Sequence, residues 1–223
     1  RSLTVALALA GGVLAGSSLA QTAITDKVGL LSGLAKMESD LQLGMLFLQD
    51  GLTNPEGSHF THPRKETLPQ VKDALLAAGV PDLDPLLQKL EAGGEKEAVT
   101  AAYGEVLAAL ITARETLKPE SRERVQAIVA QTRDVVGEIN TSGPTEVANF
   151  QDSWAMLMVA RSQVDLLMRD ADPAIAKAAS DMALVLDDVI LSMPDPNQSA
   201  PIDVDPAPFQ AALDKLEALA GSV

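Results

Sequence analysis

Cysteine is absent from this chain. Without it there is no disulfide framework, no thiol nucleophile, no Cys-ligated zinc and no lipid-modified cysteine. Aromatic residues make up 3 % of the sequence, too few for the stacking surfaces that hold sugars or unpaired bases. Basic residues are outnumbered, with 17 Lys and Arg against 31 Asp and Glu, giving a formal charge of −14. An acidic chain repels phosphate backbones and anionic lipid, which argues against nucleic-acid and membrane-surface partners. Several catalytic signatures are missing too: the G-x-S-x-G elbow, a Gly-rich phosphate loop and the H-E-x-x-H zinc motif.

What is present begins with an apolar run, LTVALALAGGVLAG, that starts two residues after Arg1. Ser18 and Ala20 then occupy the −3 and −1 places of a small-residue cleavage site. Residues 1–20 therefore read as a secretory signal peptide, too short in its apolar core to persist as a transmembrane anchor. Cleavage before Gln21 leaves a mature chain for the periplasm or the medium. About 203 residues are ample for one sizeable core without disulfides.

The rest carries helical periodicity. Leu30, Leu34, Met37, Leu41, Met45 and Leu48 recur at steps of three and four between Asp26 and Asp50. Shorter helices are expected in QVKDALLAAG and in DPLLQKLEAGG, the latter capped by Asp84. Long ones follow over 95–118, 119–140 and 145–170. The most regular stripe, Ile175, Ala179, Met182, Leu186, Val189 and Met193, follows an Asp172–Pro173 start. No stretch alternates as a strand does. The fold class is all-α, a helical bundle of about four long helices plus two or three short ones. The bundle domain spans 21–193, residues 194–208 form a Pro-rich linker, and a short C-terminal helix over 209–220 packs on the bundle.

Chemistry concentrates in one segment. GLTNPEGSHFTHPRKETL, residues 51–68, holds both histidines of the chain, His59 and His62. Pro63 disfavours the α conformation at His62, so the pair is expected off any common helix face. Pro69 interrupts a helix running from Pro63, which places the regular helix start near 67–69 and leaves a long loop before it. Two imidazoles in such a loop are either a solvent-facing helix entry or metal ligands, and a metal needs further ligands from Glu66, Glu56, Asp50 or a methionine. Met45 is the nearest thioether, and imidazole with thioether suits copper, whereas imidazole with carboxylate suits zinc. The spacing Glu56-Gly-Ser-His59 matches half of a ferritin-like di-iron motif but has no second copy.

Three short motifs resemble those of an uncharacterised family of exported, all-helical bacterial proteins. They are Gly44-Met45-Leu46, then His59-Phe60-Thr61-His62-Pro63 with Glu66, then Phe150-Gln151-Asp152. The chain departs at Met45, where the family pattern has histidine. The resemblance implies fold and compartment and transfers no activity. The sequence thus predicts an exported, non-enzymatic bundle binding copper or zinc at His59, His62, Glu66 and Met45. Alternatives are a ligand-free scaffold or interaction protein of the cell envelope, with a protein partner in the periplasm, and a hydrolase.

Overall fold

The structure, a computed structural model, describes residues 23–49, 59–139 and 142–223. The expected signal peptide, Asp50 and Glu56 lie outside the described residues. Five long α-helices are present: α1 (Lys27–Leu48), α4 (Lys96–Leu117), α5 (Ser121–Glu138), α6 (Val147–Leu167) and α7 (Pro173–Ser192). Three shorter ones are α2 (Leu68–Ala77), α3 (Asp84–Glu91) and α8 (Ala207–Ala220). Among the described residues there is no strand, only one antiparallel bridge between Thr145 and Ile202. The architecture is all-helical, with five long helices where about four were expected. No helix among the described residues is long and apolar enough to cross a membrane.

Side-chain caps set several boundaries. Asp26 accepts from Gly29 N–H at 2.8 Å to start α1, and Asp172 accepts from Ala174 N–H at 2.9 Å to start α7. Asp84 is the first residue of α3 and not its cap; Asp82 accepts its N–H at 3.0 Å. Glu120 and Glu123 form a reciprocal capping box at the start of α5.

Apolar burial divides into two clusters. One joins α1 to α4 through residues such as Leu34, Met37, Leu87 and Leu110. The other joins α5 to α8 through Phe150, Leu157, Met182 and Leu216. Helix α8 packs on α5 and α7, so Phe209 and Leu213 complete the second cluster. Helix α1 binds the halves together by touching α2 and α4 on one side and α5 and α6 on the other. It is buried nearly all round, as expected of a helix with apolar residues on every face.

The seam between the clusters is polar. Glu38, Ser39 and Asp40 are buried in the middle of α1, and Gln131 and Thr132 of α5 and Gln151 and Ser153 of α6 are buried polar residues too. Arg114 of α4 meets Glu38 at 2.5 Å and the Leu34 carbonyl at 3.3 Å. Gln131 donates to Ser39 Oγ at 3.4 Å, and Ser39 donates to the Ala35 carbonyl at 3.0 Å. Buried polar groups need such partners, since each one left alone costs about 1–3 kcal/mol.

Met182 is fully buried in the second cluster, whereas Met193 is only partly covered. Met182→Asp places an unpaired carboxylate there, at a cost of several kcal/mol. Urea denaturation should show a large drop in midpoint or no folded baseline at all. An unchanged midpoint would mean that α7 presents a different face.

Candidate metal centre

The histidine segment folds as three turns of different pitch. His59–Thr61 form a 3₁₀ turn, Pro63–Thr67 a π turn, and α2 begins at Leu68. Pro69 supplies the reason for the wide turn. It has no N–H for the Lys65 carbonyl, and the ladder is taken up by Leu68 N–H bonding to the Pro63 carbonyl five residues back. Gln70 Nε2 donates to the Glu66 carbonyl at 2.9 Å, satisfying one of the freed acceptors. The start of the regular helix is where Pro69 indicated, but the residues from His59 onward are helical turns and not a loop.

His62 has φ −61° and ψ −47°, an α conformation, against the expectation drawn from Pro63. The pre-proline clash raises the energy of that conformation without forbidding it, and Pro63 itself is well placed in the first turn, where no N–H is needed. The outcome is a pair of rings that meet. Side chains three apart on a 3₁₀ turn eclipse, and the imidazoles of His59 and His62 lie with centroids 4.2 Å apart.

Helix α1 offers one face to this turn through Asp40, Gly44 and Phe47, spaced at i, i+4 and i+7. Gly44 is required there: a Cβ would stand 2.5 Å from the Phe60 ring, so only glycine lets Phe60 lie flat on the helix. Phe47 packs edge-on to His59 at 5.3 Å between centroids. From the other side Arg64 reaches α3, bonding Asp84 at 2.6 Å and Glu91 at 2.9 Å. The turn is therefore held both before and after its histidines.

One oxygen of Asp40 and one ring nitrogen from each histidine lie within 4.8 Å of one another. His59 Nε2 stands 2.9 Å from Asp152 Oδ1 on α6 and 4.0 Å from Asp40 Oδ1. An ionised carboxylate only accepts, so Nε2 carries the proton that Asp152 receives. His59 is 2 % exposed and Asp40 6 %. Asp40 Oδ2 and His59 Nδ1 are buried with no hydrogen-bond partner. A cavity of about 60 Å³ opens beside Asp40, walled also by His62, Glu66, Glu138, Asp152 and Met156.

The charge balance of this cavity is unfavourable without a cation. Burial pushes the Asp40 carboxyl well above the usual range, and the nearby Asp152 adds to the rise, opposed by Lys36. Burial also raises Glu138. An ion with bonds of about 2.0–2.2 Å holds its ligands roughly 3–4 Å apart, so small rotations at Asp40, His59 and His62 suffice to enclose one.

Of the residues expected from the sequence, His62 and Glu66 line the cavity, and His59 stands with His62 and Asp40 beside it. Met45 does not belong with them. It sits one residue, about 100° of helix, off the face of Gly44 and is buried in the first apolar cluster. The thioether on the cavity wall is that of Met156. Asp40 was missed, although three consecutive polar residues in a helix apolar on every side could not all reach solvent. Asp152 stood in the third motif without an assigned part.

Two outcomes follow from this geometry. Folded Asp40 keeps its proton to higher pH than unfolded Asp40, so stability falls as pH rises from the ordinary carboxylate range through the raised value. Asp40→Asn should therefore raise the melting temperature of the metal-free protein at about pH 8, with the gap closing toward about pH 4. A variant that melts lower than the parent at both pH values would show that Asp40 carries no such penalty. Gly44→Ala should cost about 1–3 kcal/mol by expelling the Phe60 ring, read as a lower urea midpoint. No change would mean that Phe60 does not need the helix face.

Comparison of the chain with known protein families, with curated proteins and with solved structures finds no match.

Proposed function

We propose that this is an exported helical-bundle protein that binds a divalent transition metal, zinc or copper, and does so without catalysing a reaction. Asp40, His59 and His62 are the ligands, with Asp152 and Glu66 in reach as a fourth ligand or as acceptors that orient the imidazoles. The observation that carries the reading is the buried meeting of two imidazoles with a carboxylate whose second oxygen has no partner. A cation held between His59 Nε2 and Asp40 would require the ring proton to move from Nε2 to the unpartnered Nδ1, and would displace the proton that burial keeps on Asp40. The same cation offsets the mutual repulsion of Asp40 and Asp152.

Nitrogen and carboxylate donors suit Zn(II) and Cu(II), and with Met45 in the apolar cluster the case for Cu(I) weakens. Export rests on the N-terminal sequence alone. The three motifs of the family resemblance lend support by meeting at one place: Gly44 seats Phe60, and Asp152 receives His59.

Thermal melts of metal-stripped protein with Zn(II) or Cu(II) test the reading. At a hundredfold excess over Kd the gain is about 2.7 kcal/mol. For a chain of this size that is roughly 5–10 °C in Tm. The shift should vanish in His59→Ala/His62→Ala, weaken near pH 5 as protons compete for the imidazoles, and survive Met45→Leu. If neither ion raises Tm in the parent protein, the chain is a ligand-free scaffold or interaction protein instead.

A further inference from the structure

A second, wider space adjoins the metal centre. A groove of about 570 Å³ runs between α1, α2 and α5, and Lys36 and Glu138 line both it and the smaller cavity. Its volume falls in the range of about 300–1,000 Å³ typical of small-molecule sites. Both signs of charge line it, Lys36 from α1 and Asp134 and Glu138 from α5. Among the described residues none of these three forms an ion pair within 4.0 Å, unlike Arg133 on the same wall, which holds Glu217 at 2.7 Å. Asp134 and Glu138 stand one helical turn apart, on one face. Lys36 thus acts on Asp134 and Glu138 across the groove without closing to ion-pair distance on either.

Two further features point to an occupant. Thr67, 3 % exposed, lines the groove from the junction of the π turn and α2, and its Oγ has no hydrogen-bond partner. Gly137 lies inside α5 with ordinary helical backbone, and a Cβ there would meet nothing within 4 Å. Glycine weakens a helix, and neither a turn nor close packing requires it at this position. Its effect is to keep the groove wall open.

We propose that the groove binds a small zwitterion, an amino acid or short peptide. The ligand's carboxylate meets the Lys36 ammonium, and its ammonium lies between Asp134 and Glu138. Such a ligand carries both charges that the groove leaves unpaired, whereas a simple anion meets the two acids and a simple amine meets the lysine. The inference does not depend on the metal, since the groove's charges come from the chain itself.

Calorimetric titration of the full chain, passed over a chelating resin, with the dipeptide Ala-Ala tests it. Saturable binding is expected, at least tenfold weaker for N-acetyl-Ala-Ala, which lacks the ammonium, and for Ala-Ala amide, which lacks the carboxylate. Lys36→Met and Glu138→Gln should each weaken Ala-Ala at least tenfold. Gly137→Leu should fill the groove and abolish binding while keeping the parent's melting temperature or raising it, because the added Cβ meets no neighbour and leucine favours the helix over glycine. Absence of Ala-Ala binding, equal binding of the blocked dipeptides, or full binding by a folded Gly137→Leu variant would each overturn the proposal. A negative result here alongside positive metal melts leaves the metal reading standing, and the reverse holds equally.

Discussion

Glu38, Ser39 and Asp40 stand in the middle of a helix that is buried on almost every side, and each needs a partner that another helix must bring. Much of the architecture answers that need. Arg114 from α4 meets Glu38, Gln131 from α5 meets Ser39, and the charge of Lys36 and the imidazole of His59 come toward Asp40. The first two residues are satisfied. The third is not, because Asp40 Oδ2 has no partner and Asp152 confronts it with a second negative charge. An isolated buried carboxylate is among the most expensive features a fold can keep, and such features collect where function needs them.

The polar seam also explains why the bundle has two apolar clusters. Helix α1 lends Leu34, Met37 and Leu41 to the first cluster, while its Ser39 and Asp40 face α5 and α6. Apart from Ala127 of α5, which joins the first cluster, each cluster closes on its own side, and the metal cavity and the wider groove lie between them. The 3₁₀ and π turns carry the histidines to that seam. Their position is fixed by apolar contact through Phe60 and by the ion pairs of Arg64 with α3, none of which involves a metal ligand. A site supported this way keeps its shape without an ion.

Legibility in the sequence varied with the regularity of the backbone. Helices α4 to α8 follow the three-and-four spacing of apolar residues, and their bounds fall within a few residues of what that spacing indicates. The spacing shows α1 to be a helix but gives no part to its polar residues, because a period of 3.6 identifies one apolar face and says little about a helix buried on all sides. The segment from His59 to Thr67 was the least legible. Neither a 3₁₀ nor a π turn has the α period, and the pre-proline preference at His62 gave way to a turn stabilised from several sides. Convergence of Asp40 and Asp152 with the histidines depends on how α1, α5 and α6 pack, which no local pattern encodes.

The central claim is that Asp40, His59 and His62 hold one metal ion between the two clusters. Anomalous diffraction at the zinc absorption edge from crystals grown with Zn(II) addresses it most directly. The account predicts a single strong peak within coordination distance of an Asp40 oxygen and of nitrogens of both imidazoles, with Met45 remote from it. A crystal in which that position stays empty while zinc occupies only exposed carboxylates would contradict it.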